Sequence, residues 1–167
     1  VMRFMDMLMA IPSTLFAICV VSALGTGVMN LLLAIMVSMI PQFAMIVRSS
    51  VLTIKGSEFI EAAQCGGTST ARIIMRHIIP NAMGPIIVQA TLALGGVILT
   101  AASMSFIGLG VQPPEPEWGA ILTEGQEFMR DYPYLVIFPG VTIMMAVLAC
   151  NFLGDGLRDA LDPKLKQ

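Results

Sequence analysis

Few side chains in this 167-residue chain could do covalent chemistry, and none is arranged to do it. His77 is the single histidine, so no multi-histidine metal site can form. It has no nucleophile partner in the pattern and reads as a stacking or capping residue at a loop end. Cys19, Cys65 and Cys150 are isolated, with neither redox nor ligand spacing, and read as structural thiols. The fourteen methionines lack ligand spacing and fit adaptable packing in lipid and at helix interfaces. No Gly-rich loop ending in Gly-Lys-Ser/Thr is present to cradle a nucleotide phosphate. The expectation is therefore no catalytic residue, no metal, no cofactor and no enzyme. What spacing does single out is Ser57 to Pro80, SEFIEAAQCGGTSTARIIMRHIIP, a charged stretch set between long apolar runs.

Those runs define the elements that must hold it. The chain is 56% hydrophobic and 12% charged, with mean hydropathy +0.84, far from the roughly 25% charge of soluble domains. Apolar runs of spanning length recur, so lipid is the solvent for most of the chain. The net charge of -2 and the lack of a basic patch argue against nucleic acid. Spans are expected at about 8–24 (interrupted by Pro12), 28–47 (with Pro41), 83–107 and 135–153. A charged loop at 48–80 and a Pro/Gly/Glu-rich loop at 108–134 join them, and a short charged tail follows. In that tail Leu153, Leu157, Ala160 and Leu161 have the spacing of a separate amphipathic helix. The chain starts at Val1 in mid-pattern, which looks like the continuation of a longer protein.

Lysine and arginine counts choose the sides. Arg3, Arg48, Lys55, Arg72, Arg76, Arg158, Lys164 and Lys166 fall on one side under a four-span threading. Arg130 alone falls on the other, with Glu115, Glu117, Glu124, Glu127 and Asp131. Both ends and the 48–80 loop are thus expected in the cytoplasm, in a multi-pass cell-membrane protein. The 108–134 loop, with Trp118, Phe128, Tyr132 and Tyr134, is expected outside as an aromatic belt with a helical re-entry.

Ionisable groups deep in spans usually mark ion or proton paths. Here the polar set is milder: Ser13, Thr14, Ser22, Asn30, Ser38, Gln42, Gln89, Thr91, Thr100, Ser103 and Ser105. It reads either as glue between helices or as the lining of a passage. Asn30, Ser38, Gln89, Thr91, Ser103 and Ser105 are the candidates for that passage. Gly84, Gly95 and Gly96, with several alanines, give the third span a small-residue surface.

Within 57–80, Ser57 is placed to cap a helix from Glu58 to about Cys65 through its hydroxyl. Glu58 suits the positive end of that helix. Gly66 and Gly67 break it, one of them in the left-handed region. Thr68 or Ser69 starts a second helix to about Ile78, with Arg72 and Arg76 on one face and Ile74 and Ile78 on another. Pro80 is expected to end that helix before the next span. Helix, sharp turn and helix make a rigid knob able to fit a cleft in another protein.

Glu61-Ala62-Ala63, then Gly67, then Pro80 resembles the cytoplasmic loop motif of importer-type ABC transporter permeases. RHIIPNA (76–82), VQATLALGG (88–96), SFIGLGVQPPEPEWG (105–119) and FLGDGLRDALDPKLK (152–166) are similar to the dipeptide/oligopeptide/nickel branch, specifically its C-type subunit. His77 stands where the general motif has an aliphatic residue. The resemblance covers essentially the whole chain, as the C-terminal portion of a longer permease that has two earlier spans. It implies an all-α, polytopic type I permease fold with a cytoplasmic coupling helix. Glu61, Ala62, Ala63, Gly67, Thr68, Ser69, Arg72, Arg76 and Pro80 would then form the contact with an ATPase. It also implies a second permease subunit in a heterodimer, two cytoplasmic ATP-binding subunits and an extracytoplasmic solute-binding protein. The cargo implied is di- or oligopeptide, with nickel or another small solute as the alternative. An ion-coupled secondary transporter is the reading from another class.

Overall fold

Helices account for nearly all of the computed structural model, which describes residues 2–112 and 114–161. Among the described residues there is no strand. This follows from the long apolar runs, because in hydrocarbon a single segment of that length satisfies its own backbone polar groups only as a helix.

α1 (Met2–Met9) and α2 (Ser13–Leu24) occupy the region of the first expected span, on either side of Pro12. They meet at 93° across Ala10–Pro12. Pro12 has no N–H to continue α1 and disfavours helical geometry at Ile11, while its own backbone (φ -54°, ψ 130°) is extended. α2 alone is about 18 Å long, short of a bilayer core, so this region crosses only as a broken span. Gly25 to Gly27 turns the chain into α3 (Val28–Lys55), which passes through Pro41 and runs eight residues beyond the expected end at Val47. Arg48 and Lys55 are therefore helical, since helix hydrogen bonding does not stop where lipid does.

α4 (Glu58–Cys65) follows, then α5 (Thr70–Ile73), a π-helical turn (Ile74–Ile78) and α6 (Ile79–Phe106). The last three form one 37-residue rod, so Pro80 does not end the second arm of the loop. The π turn is the reason. The Ile79 amide donates to the Ile74 carbonyl one residue further back than in an α-helix, and Pro80 falls in the first turn of α6. Proline is favoured in a first helical turn, and the N–H it lacks is one donor that the rod goes without at this position. The Asn81 side-chain amide donates to the His77 carbonyl at 2.6 Å, supplying a donor within the turn that Pro80 opens.

α7 (Trp118–Gln126) lies within the 108–134 segment, capped by Glu117, whose carboxylate accepts from the Ala120 amide at 2.9 Å. α8 (Tyr134–Leu161) continues past the expected end at 153, so the described part of the tail is not a separate helix. Gly154 and Gly156 sit inside it, and Gly154 is buried against Leu92 of α6. Lys164 and Lys166 lie outside the described residues.

Among the described residues three helices are long and apolar enough to cross a membrane: α3, the 70–106 rod and α8, with the bent α1–α2 pair as a fourth crossing if it counts as one span. α6 is central, packed on α3, α7 and α8. A buried cluster of Ala17, Val21, Leu31, Ala34, Ile35, Met104 and Val111 joins α2, α3, α6 and the start of the 108–134 segment. α7 rests on α6 at Gly119, where any Cβ would fall on the Ala102 carbonyl oxygen. Because that neighbour is backbone, Gly119→Ala is expected to cost about 1–3 kcal/mol. Gly140→Ala, in α8 with open space around it, is expected to cost nothing or to stabilise. Thermal unfolding of the two variants in detergent checks the contrast.

Candidate functional site

The loop between α3 and α6 is built by a helix C-cap. Gly67 has φ +73°. The Thr68 amide donates to the Ala63 carbonyl at 3.1 Å and the Gly67 amide to Gln64 at 3.0 Å. These are the paired bonds of a Schellman motif, with Gly67 at its left-handed position. The spacing of Ala63, Gly67 and Thr68 thus has a mechanical cause: one accepts, one turns and one donates. Gly66, at φ -73°, is ordinary.

The N-terminal end of α4 differs from expectation. The Ser57 hydroxyl accepts no capping bond; it donates backwards to the Ile54 carbonyl at 2.6 Å and so closes the end of α3. The free amides of α4 are served in part by the Ser57 backbone, with Ile60 donating to its carbonyl at 3.0 Å. Each arm of the loop buries one isoleucine, Ile60 and Ile73, whereas Ile74 is exposed. The π turn shifts the register of the arm, which is why Ile73 rather than Ile74 faces inward. The His77 ring stands 6.4 Å from that of Phe59, tilted by 48°, and links the π turn to α4.

Of the coupling candidates, Glu61, Ala62, Gly67, Ser69, Arg72, Arg76 and Pro80 are exposed, and Ala63 and Thr68 are half-buried. They lie on one knob, with the exposed Ile74 and Met75 between the two arginines. An apolar strip flanked by cations, held on a rigid turn, is a surface suited to protein contact rather than to chemistry.

The passage candidates are not all together. Ser38 and Gln89 line a half-open cavity of about 310 Å³ between α3 and α6. Ser13, Gln42 and Thr100 complete its polar lining. Their residue types gave the signal, but neither period nor spacing placed them at one site. Asn30 lies elsewhere: its side-chain amide donates to the Leu24 carbonyl at 3.0 Å and to Gly25 at 3.2 Å, holding the α2–α3 turn. Thr91 and Ser103 bond back to Ile87 and Leu99 within α6. The Ser105 hydroxyl accepts from the Val111 amide at 3.3 Å and anchors the start of the 108–134 segment.

The model of the family described as "Binding-protein-dependent transport system inner membrane component" matches residues 1–167. The chain belongs to that family. Among its relatives is the dipeptide transport system permease protein DppC of Alkalihalophilus pseudofirmus, 49% identical over 98% of this chain and 54% of the relative. The glutathione transport system permease proteins GsiD of Shigella flexneri and Escherichia coli are each 48% identical over 99% of the chain and 55% of theirs. The chain spans about half the length of these curated relatives. This inner membrane component is thus all-α and polytopic, with a fold consistent with the type I permease architecture.

The C-cap of this permease gives a sharp prediction. Gly67→Ala places a side chain in the left-handed region, at a cost of about 1–2 kcal/mol. Gly66→Ala is expected to be tolerated, since its Cβ would meet the Ala62 carbonyl at an ordinary 3.5 Å. Amide hydrogen exchange over 57–78 should accelerate in the first variant and stay unchanged in the second.

Proposed function

We propose that this permease is part of the membrane path of an ATP-driven importer of di- or oligopeptides, and that the 57–80 knob receives motion from a cytoplasmic ATPase. The observation that carries this reading is continuity. α3 runs unbroken from the apolar region to Lys55, and α6 reaches back through the π turn to Thr70, so the knob sits between two rods. A partner that grips the knob would move both rods as rigid bodies.

On this reading Glu61, Ala62 and Ala63 shape the first arm, Gly67 sets its angle, and Thr68, Ser69, Arg72 and Arg76 meet the ATPase. Pro80, with the π turn, passes the motion to α6. The knob lies in the cytoplasm with both ends of the chain, as the arginine distribution favours. The 310 Å³ cavity is the segment of the path that this subunit contributes, completed by a second permease subunit. A solute-binding protein delivers cargo to the α7 side. Peptide is the favoured cargo because the named relatives are dipeptide and glutathione permeases, and both solutes are short peptides.

The assembled transporter in proteoliposomes tests this. Dipeptide uptake is expected to require ATP and the ATP-binding subunits. Gly67→Val and Glu61→Lys are expected to weaken ATPase docking by about tenfold or more, with the spans still inserted. Undiminished docking in both variants, or uptake that persists without ATPase subunits, would overturn the reading.

A further inference from the structure

The lining of the cavity between α3 and α6 contains hydroxyl and amide groups but no ionisable side chain. The sequence around it is equally bare: no Asp, Glu, Lys, Arg or His occurs from Ser13 to Val47, from Ile79 to Pro114, or from Tyr132 to Gly154. A volume near 310 Å³ is at the small end of ligand pockets, which begin at about 300 Å³.

The polar groups divide by what they can still do. The Ser38 hydroxyl proton goes to the Ile35 carbonyl at 2.8 Å, and that of Thr100 to Gly96 at 2.8 Å. Both oxygens keep acceptor capacity and have no proton to give. Gln42, on α3, and Gln89, on α6, each carry a carbonyl and an NH₂. A primary amide can pair with both halves of a peptide group, one N–H and one C=O. It can also donate to a carboxylate or accept from an ammonium. No lining group offers a counter-ion, so nothing here favours one side-chain charge over another.

We infer that this cavity is a charge-neutral peptide subsite, in which Gln42 and Gln89 hydrogen-bond the peptide group and Ser38 and Thr100 accept from the N-terminal ammonium. This deepens the importer reading above and rests on it. Selection by side-chain charge is therefore made before cargo reaches these helices. A small path that bonded each charged end tightly would hold its cargo. One that offers several equivalent, uncharged partners lets a zwitterion exchange one hydrogen bond for the next as the helices move.

The test installs the charge that the cavity lacks. Proteoliposomes carrying the assembled transporter, with the full-length permease, receive ATP and binding protein preloaded to saturation with Ala-Ala, Ala-Glu or Ala-Lys. The wild type is expected to move all three at rates within about threefold of one another. In Gln89→Glu the rate for Ala-Glu relative to Ala-Lys should fall by about tenfold, because like charges would meet there while opposite charges attract. Gln42→Glu should shift the ratio in the same direction. Each ratio is taken on one preparation, so a loss of folded protein cancels. An unchanged ratio in both variants overturns the subsite, while ATP-dependent Ala-Ala uptake leaves the importer reading standing. A wild-type preference above tenfold among the three also overturns it. If the wild type takes up none of them, the peptide-importer reading falls, and the subsite with it.

Discussion

The whole arrangement depends on how closely other backbones can approach α6. Between helices in lipid there is no hydrophobic driving force, because the surrounding chains are as apolar as leucine. Association must come from close packing, and close packing requires small residues at the contact. Gly119 brings the backbone of α7 against Ala102, and Gly154 brings α8 onto Leu92. Gly95 of α6 faces Val147 and Asn151 of α8, where an added Cβ would stand 3.3 Å from Val147 and 3.2 Å from the Asn151 side-chain oxygen. α7 itself is tied to α8 at Gly125, where an added Cβ would stand 3.0 Å from the Leu135 carbonyl oxygen. The result is one body of α6, α7 and α8. α3 meets the same column on a face where space remains, and the cavity is in that seam.

A second requirement is that the column stay continuous where it leaves the membrane. Pro80 falls at the point where an ordinary helix would be interrupted. The π turn absorbs the interruption by lengthening the hydrogen-bonded ring over Ile74–Ile78, and Asn81 contributes a side-chain bond to His77. The rod therefore survives a proline that would otherwise kink it by removing a donor and crowding the preceding carbonyl. Rigidity is kept where the proposed coupling would load the rod. α3 achieves the same end differently, with Ser57 donating to Ile54 and closing the last turn.

Much of the knob was legible from local chemistry. The limits Glu58–Cys65 and the left-handed glycine follow from residue types whose backbone preferences are strong, and the structure has both. The polytopic class followed from composition and the lengths of the apolar runs, and the family resemblance implied the all-α permease fold. The misses share a cause, which is that charge and proline mark boundaries only when nothing else holds the helix. Arg48 and Lys55 suggested a loop, but their side chains reach water from a helix as well as from a coil. Pro80 suggested a stop, but a π turn is invisible to residue typing. Pro12 was seen as a possible kink, yet a bend of 93° that divides the first span depends on tertiary placement of α1 against α3. The cavity was the hardest to read. Its polar residues were all visible in the spans, but Gln42 and Gln89 are 47 positions apart, and only packing brings α3 beside α6.

The position of that cavity bears on how force could become transport. Ser38 and Gln42 are on α3, and Gln89 and Thr100 on α6. These are the two helices that flank the knob, while α8 is fixed to α6 on its other side. A displacement of the knob that moves α3 relative to α6 must change the distance between the two halves of the cavity lining. A displacement that moves them together leaves it unchanged. The proposed coupling therefore requires that the knob rotate as a rigid piece, displacing its two attachments by different amounts, rather than translate. The two arms meet at Gly67 through only a few residues, and a left-handed glycine is the conformation that fixes their angle. Stiffness in the arms and a defined angle between them are both needed, because a lever with a loose joint would lose the motion before it reached Gln42 and Gln89.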